Sequence, residues 1–177
     1  KALGENKIFL KDRYEDIERL TNKSGIKAVY ETNGNAVDLA FKACTEVLKD
    51  YDKESIDCLI MVTQSPVDLL PANSIKLSAK LGLSKSIFTF DFNQGCSGFV
   101  QALVTMNSLL SGSKDLGLIV CSDTYSHHLS PEDRSTQVLF SDGATATLIK
   151  GGGQWKIIAS SHLTDGSGAD MLVKNTE

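Results

Sequence analysis

Apolar and polar positions change period several times along the chain. Between residues 33 and 50, Ala36, Val37, Ala40, Phe41, Cys44, Val47 and Leu48 recur at three- and four-residue spacing. That spacing predicts an amphipathic helix, with Asn33 or Asn35 as its N-cap. Residues 56–63 (Ile-Asp-Cys-Leu-Ile-Met-Val-Thr) form a short apolar run, which predicts a strand buried on both faces. Pro66 and Pro71 then mark a loop. A helix is predicted over 72–82, ending at Gly82. Phe88, Phe90 and Phe92 alternate within a second strand over 87–92, and a tight turn follows over 93–97. An apolar helix is predicted over 98–110, stopping at Ser111-Gly112, and a third buried strand over 116–121. Residues 143–149 and 155–161 alternate in strand fashion. Gly151-Gly152-Gly153 between them predicts a hairpin. Upstream, residues 12–25 read as a polar helix closed by a turn at Lys23-Ser24-Gly25. Neither an internal repeat nor a low-complexity segment interrupts this order.

Strand and helix alternate through the middle of the chain, and adjacent strands follow. The expected fold is α/β with three layers. It has a mixed, mostly parallel sheet of about five strands, helices on both faces and an antiparallel edge pair. The 177 residues, 41% of them apolar, suffice for one domain. Net charge is −4, and basic residues are scattered, which argues against nucleic acid as a partner. No stretch approaches ~18 consecutive apolar residues, and the first residues do not resemble a secretory signal, so no membrane association is expected.

Composition takes on chemical meaning at the four cysteines. Their wide spacing contains no C-x-x-C pair and argues against a metal site. Unpaired thiols fit a reducing, cytoplasmic setting. Cys44, Cys58 and Cys121 sit in apolar helical or strand patterns and read as small core residues. Cys96 sits between Gly95 and Gly98, in the turn from strand to helix. At a helix N-terminus, unpaired backbone N–H groups and the positive end of the dipole face the sulfur and favour its thiolate. A thiolate there is a nucleophile, and the backbone N–H of Cys96 is placed to meet an oxyanion. The residues alone leave a buried structural cysteine at a tight turn equally open.

Asp91-Phe-Asn-Gln-Gly-Cys-Ser-Gly-Phe-Val100 resembles the active-site segment of the β-ketoacyl-acyl-carrier-protein synthase III family, whose acyl-accepting cysteine lies in an Ala/Gly-Cys-Ala/Ser-Gly-Phe motif. Further segments agree in order: Lys23-Ser-Gly-Ile26, Leu70-Pro-Ala-Asn73, Ser122-Asp123, Ser130-Pro-Glu-Asp-Arg-Ser135, Phe140-Ser-Asp-Gly-Ala144 and His162-Leu-Thr-Asp-Gly166. The resemblance implies that the α/β fold is a thiolase-like half, and that Cys96 is acylated by an acyl thioester, of coenzyme A or of acyl-carrier protein. It implies no covalently bound cofactor, coenzyme A thioester being a substrate. Phe140 and Tyr125 align with residues lining the acyl pocket. Leu70 aligns with a residue that closes the partner's pocket across a homodimer interface. Arg134 aligns with a residue packing on adenine, and Lys23 with an Arg near the phosphates. Arg19 stands where the family usually carries a Trp that stacks on adenine.

In the family, a duplicated second half supplies the His and Asn used when a malonyl unit loses carbon dioxide. No matching motif occurs here. The expectation is a single N-terminal domain over residues 1–177, belonging to a two-half protein whose C-terminal half lies elsewhere. The implied reaction of the whole is decarboxylative Claisen condensation in fatty-acid or related biosynthesis. Hydroxymethylglutaryl-coenzyme A synthase or polyketide-type chemistry on the same fold, and a non-catalytic dimerising or binding domain, are the alternatives. Asp142 reads as a structural turn residue, and His127 and His128 as loop residues.

Overall fold

The computed structural model describes residues 1–15, 17–110, 116–171 and 173. In chain order its elements are β1 (Ala2–Leu3), β2 (Asn6–Phe9), α1 (Leu10–Arg13), α2 (Glu18–Ser24), β3 (Ala28–Glu31), α3 (Ala36–Val47), β4 (Cys58–Val62), α4 (Asn73–Leu81), β5 (Phe88–Phe92), α5 (Gly98–Leu110), β6 (Leu116–Asp123), α6 (Arg134–Gln137) and β7 (Gly143–Lys150). The expected stop of α5 at Ser111-Gly112 lies outside the described residues.

The main sheet has the order β1-β7-β6-β4-β5. β4 runs parallel to both β5 and β6, while β7 is antiparallel to β6 and to β1. Two of the four pairings are parallel, and β5, β4, β6 and β1 run in one direction with β7 alone reversed, so the sheet is mixed and mostly parallel, as expected. The reason lies in the connections. Parallel neighbours need a crossover helix, and α4 and α5 supply them. Between β6 and β7 the chain turns back through short helical turns, and the pairing is antiparallel.

Every residue of β4 is buried, because helices cover both faces. Leu59 and Met61 pack with Leu118 and Val120 of β6 beneath Ala36, Val37, Ala40 and Cys44 of α3 and Leu77 of α4. The alternate residues Cys58, Ile60 and Val62, with Ile119, pack under Ala102, Met106 and Leu110 of α5. Strand alternation thus feeds two cores, which is why the sequence reads as one unbroken apolar run.

Helix ends follow their local chemistry. Asn35 rather than Asn33 caps α3, in a reciprocal capping box with Asp38. Gly82 closes α4 at φ +67°. The N-cap of α4, Ala72, has no side-chain acceptor. Asp91 of β5 fills that role from outside the helix, accepting from the Asn73 N–H at 2.6 Å, the Ser74 N–H at 2.8 Å and Asn73 Nδ2 at 3.0 Å.

Two expectations are corrected. The helix read over 12–25 is two short helices, α1 and α2. Leu10 and Ile17 turn inward to a small core with Val29 and Val138, under the separate β2–β3 ribbon. The predicted hairpin after β7 has a turn, with Gly152 at φ +70°, but residues 155–161 form no strand. Alternation alone does not make a strand: it needs a core to bury one face. Trp155 and Ile158 are both 97% exposed. The antiparallel partners of β7 are β6 and β1 instead.

Candidate active site

Three parallel strands end side by side. Val62 is in register with Phe92 on one side and with Cys121 on the other. The segments that follow them, at residues 63–65, 93–97 and 123–125, therefore meet at one edge of the sheet. The carboxyl edge of parallel strands is where open α/β sheets place ligands.

Cys96 lies in the segment that follows β5. Gly95–Ser97 make a single 3₁₀ turn that runs into α5. Among the four thiols, Cys44 and Cys58 are buried, Cys121 is partly so and Cys96 is exposed. A buried structural role for Cys96 is thereby excluded. Both nearby glycines sit closely against side chains of the loop and strand beside them. Gly95 has φ +56°, and a Cβ built on it would lie 2.7 Å from the Gln64 carboxamide. A Cβ on Gly98 would collide with Cγ1 of Val62, so the head of α5 rests directly on β4.

Asp123, at the end of β6, organises the loop after β4. One of its carboxylate oxygens accepts from the Gln64 N–H at 2.7 Å, the Ser65 hydroxyl at 2.8 Å, the Ser65 N–H at 3.0 Å and the Thr63 hydroxyl at 3.2 Å. Ser65 Oγ in turn accepts from the Thr124 N–H at 2.8 Å. The backbone carrying Gln64 is therefore fixed. Its side chain then spans the edge: Nε2 donates to the Asn93 carbonyl at 3.2 Å, and Oε1 accepts from the Tyr125 hydroxyl at 2.7 Å. Tyr125 stacks on Phe140 with ring centroids 4.8 Å apart. Burial raises the Tyr125 pKa, and the negative charges of Asp123 and Cys96 raise it further. The phenol therefore stays protonated beside the thiol. Phe140 is 41% exposed, which is not the burial of an ordinary core residue.

A second group of predicted residues meets elsewhere. Lys23 and Arg134 line one open cleft of about 330 Å³, together with Arg19, Ile17, Leu20 and Ser135. The Arg134 guanidinium lies 5.0 Å from the Tyr14 ring centroid. Asp133 caps α6, accepting from the Ser135 and Thr136 N–H groups. Those bonds, with the Ser135 hydroxyl foremost, hold the Asp133 carboxyl at about 2. Three cations thus share one opening, a setting for an anionic ligand. Leu70 belongs to neither group. It is 86% exposed, on the loop between β4 and α4.

Asp142 is structural, as its turn position suggested. It is fully buried and accepts from the Thr32 N–H, the Ser126 N–H and the Ser126 hydroxyl. His127 packs its Nε2 against the Thr32 carbonyl at 2.7 Å. Sequence reasoning missed Gln64 and the bracing role of Asp123. The available signal was position: Asp123 ends a parallel strand and Gln64 lies just past the end of another.

A mixed five-stranded sheet with helices on both faces, and a cysteine at the carboxyl edge of its parallel strands, is the arrangement of a thiolase-fold protein. Residues 90–166 match the family model described as 3-oxoacyl-[acyl-carrier-protein] synthase III. The chain is 36% identical over 163 residues to β-ketoacyl-[acyl-carrier-protein] synthase III of Lactococcus lactis subsp. lactis, covering 89% of this chain and 50% of the relative. It is 39% identical over 138 residues to the enzyme of the same name from Acholeplasma laidlawii, covering 75% of this chain and 44% of the relative. The crystal structure of 3-oxoacyl-(acyl carrier protein) synthase III from Pseudomonas aeruginosa superposes with a TM-score of 0.89 at 28% identity, over 99% of this chain and 58% of that one. Over the stretch that aligns, the chain is similar to the β-ketoacyl-acyl-carrier-protein synthase III family. It spans about half the length of the curated relatives it matches.

Proposed function

We propose that this chain is the N-terminal, acyl-accepting domain of a condensing enzyme of the 3-oxoacyl-acyl-carrier-protein synthase III type, acting in fatty-acid or related biosynthesis. The observation that carries this reading is the exposed Cys96 at the head of α5, in a tight turn that follows Gly95 at φ +56°. The Cys96 thiolate attacks the carbonyl of an acyl thioester. The tetrahedral oxyanion takes donors from the backbone at the start of α5. It then collapses: the new carbon–sulfur bond to Cys96 stays, and the bond to the donor sulfur breaks. The donor leaves as a thiolate and takes up the proton that Cys96 lost. In the whole protein, a malonyl thioester then loses carbon dioxide. Its enolate carbon attacks the acyl group, releasing Cys96 and a 3-oxoacyl thioester. A His and an Asn from outside this chain stabilise that enolate.

Coenzyme A thioester is the proposed donor, held by Lys23 and Arg134. The cleft these two share with Arg19 supports a phosphorylated donor. Lys23 supplies charge without the bidentate fork of an Arg, and Arg19 stands in place of an adenine-stacking ring. The grip on coenzyme A therefore differs from the family's, and an acyl-carrier-protein donor uses the same thioester chemistry. Tyr125 and Phe140 wall the acyl site. The proposed assembly is a homodimer through β5, an edge strand of the sheet, where Phe88 is 52% exposed. Leu70 reaches the partner's pocket from its exposed loop. Among the described residues no helix is long and apolar enough to cross a membrane. We place the protein in the cytoplasm.

The test is a condensation assay on the full-length protein, given an acyl-coenzyme A and a malonyl thioester on acyl-carrier protein. A 3-oxoacyl product and matching carbon dioxide release are expected. Absence of both, with the donor intact, contradicts the proposal.

A further inference from the structure

The residue that joins the nucleophile loop to the rest of the site is Gln64. Three observations converge on it. Its backbone is fixed, through the Gln64 and Ser65 N–H groups bonded to Asp123. Its carboxamide fills the space under Gly95 that any Cβ there would need. Its two polar atoms point to different elements, the Asn93 carbonyl before Cys96 and the Tyr125 hydroxyl after β6. The orientation of the amide is dictated by chemistry. A carbonyl can only accept, so Nε2 faces Asn93 and Oε1 faces Tyr125, whose hydroxyl must then donate. The Tyr125 proton is thereby engaged with Gln64, and the Tyr125 ring is held against Phe140.

We propose that Gln64 is a positioning residue: it ties the backbone before Cys96 to the Tyr125–Phe140 wall and so sets both the attack position of the thiol and the position of that wall. The proposal rests on the reading of Cys96 as the acyl acceptor. Removing the carboxamide vacates the volume beneath Gly95 and frees the Tyr125 ring, so the thiol loses its alignment while the wall recedes. Gln64→Glu cannot donate to Asn93 but still accepts from Tyr125. Tyr125→Phe keeps the Asn93 bond and loses the other. The two variants therefore separate the halves of the tie.

The experiment measures loading of the full-length protein with acetyl-, butyryl- and octanoyl-coenzyme A, alongside iodoacetamide alkylation of Cys96, with folding checked by circular dichroism. For Gln64→Ala, the maximal acetyl loading rate is expected to fall roughly 10-fold with KM little changed. The octanoyl-to-acetyl rate ratio is expected to rise. Gln64→Glu slows acetyl loading, and Tyr125→Phe chiefly raises the ratio. A folded Gln64→Ala protein with the wild-type rate and chain-length ratio overturns the proposal. If the wild type alkylates at Cys96 but accepts no thioester, the acyl reading fails by itself. The tie is then decided by alkylation: a changed rate in Gln64→Ala supports it, and an unchanged rate overturns it.

Discussion

Gln64 and Gly95 occupy space that a single extra carbon would deny them: a Cβ on Gly95 would lie 2.7 Å from the Gln64 carboxamide. Gly95 also has φ +56°, a conformation L-residues avoid. Gly95→Ala adds left-handed backbone strain and displaces the Gln64 carboxamide, and the expected loss is about 1–2 kcal/mol. Urea unfolding checks it, as a lower midpoint at unchanged slope. Cys96 reactivity should fall in whatever fraction remains folded.

Asp123 satisfies four donors from Thr63, Gln64 and Ser65 with one oxygen. Asp123→Ala leaves these groups in a part-buried loop without their acceptor. Each orphaned donor costs about 1–3 kcal/mol, less where water enters, so a total near 3 kcal/mol is expected. Asp123→Asn keeps an acceptor oxygen and should cost roughly half as much. Thermal unfolding of the two variants side by side distinguishes them.

The thiols should separate sharply in chemistry. Burial pushes the Cys44 pKa up to about 12, and burial with the nearby Asp123 charge raises Cys121. A thiol raised this way reacts only as pH climbs toward its folded pKa, so neither is a thiolate near pH 8. Limited iodoacetamide at pH 8 is expected to modify Cys96 first, and Cys44 only on unfolding. Peptide mass mapping reads the order. Early labelling of Cys44 would contradict the packing of α3 on β4.

The cleft of Arg19, Lys23 and Arg134 should act on binding rather than on chemistry. Lys23→Ala or Arg134→Ala is expected to raise KM for acyl-coenzyme A about 5- to 20-fold, with kcat within about twofold. The effect should shrink as salt rises, because exposed charges are screened. Steady-state kinetics at two ionic strengths measures both.

Much of this was legible in the sequence because the signals were long. β4 and α5 each carry an unbroken apolar pattern, since each is buried against two layers or along a full face. The Gly-Cys-Ser-Gly turn was readable because glycine requirements are local. The β2–β3 ribbon was not readable: its four-residue strands carry one fully buried side chain, Val29, and take their order from the partner. Residues 155–161 misled because alternation reports a face, not whether anything covers it. Gln64 and Tyr125 lie 61 positions apart and meet only because β4 and β6 are parallel neighbours, a pairing that hydrophobic periodicity does not reveal.

The central claim is that Cys96 accepts an acyl group. Incubating the full-length protein with acetyl-coenzyme A, without a malonyl acceptor, and mapping the adduct by peptide mass spectrometry tests it most directly. The account predicts a single acetyl group on the Cys96 peptide, labile to hydroxylamine and absent in Cys96→Ala. An unmodified Cys96, or an acetyl group that persists in Cys96→Ala, would contradict it.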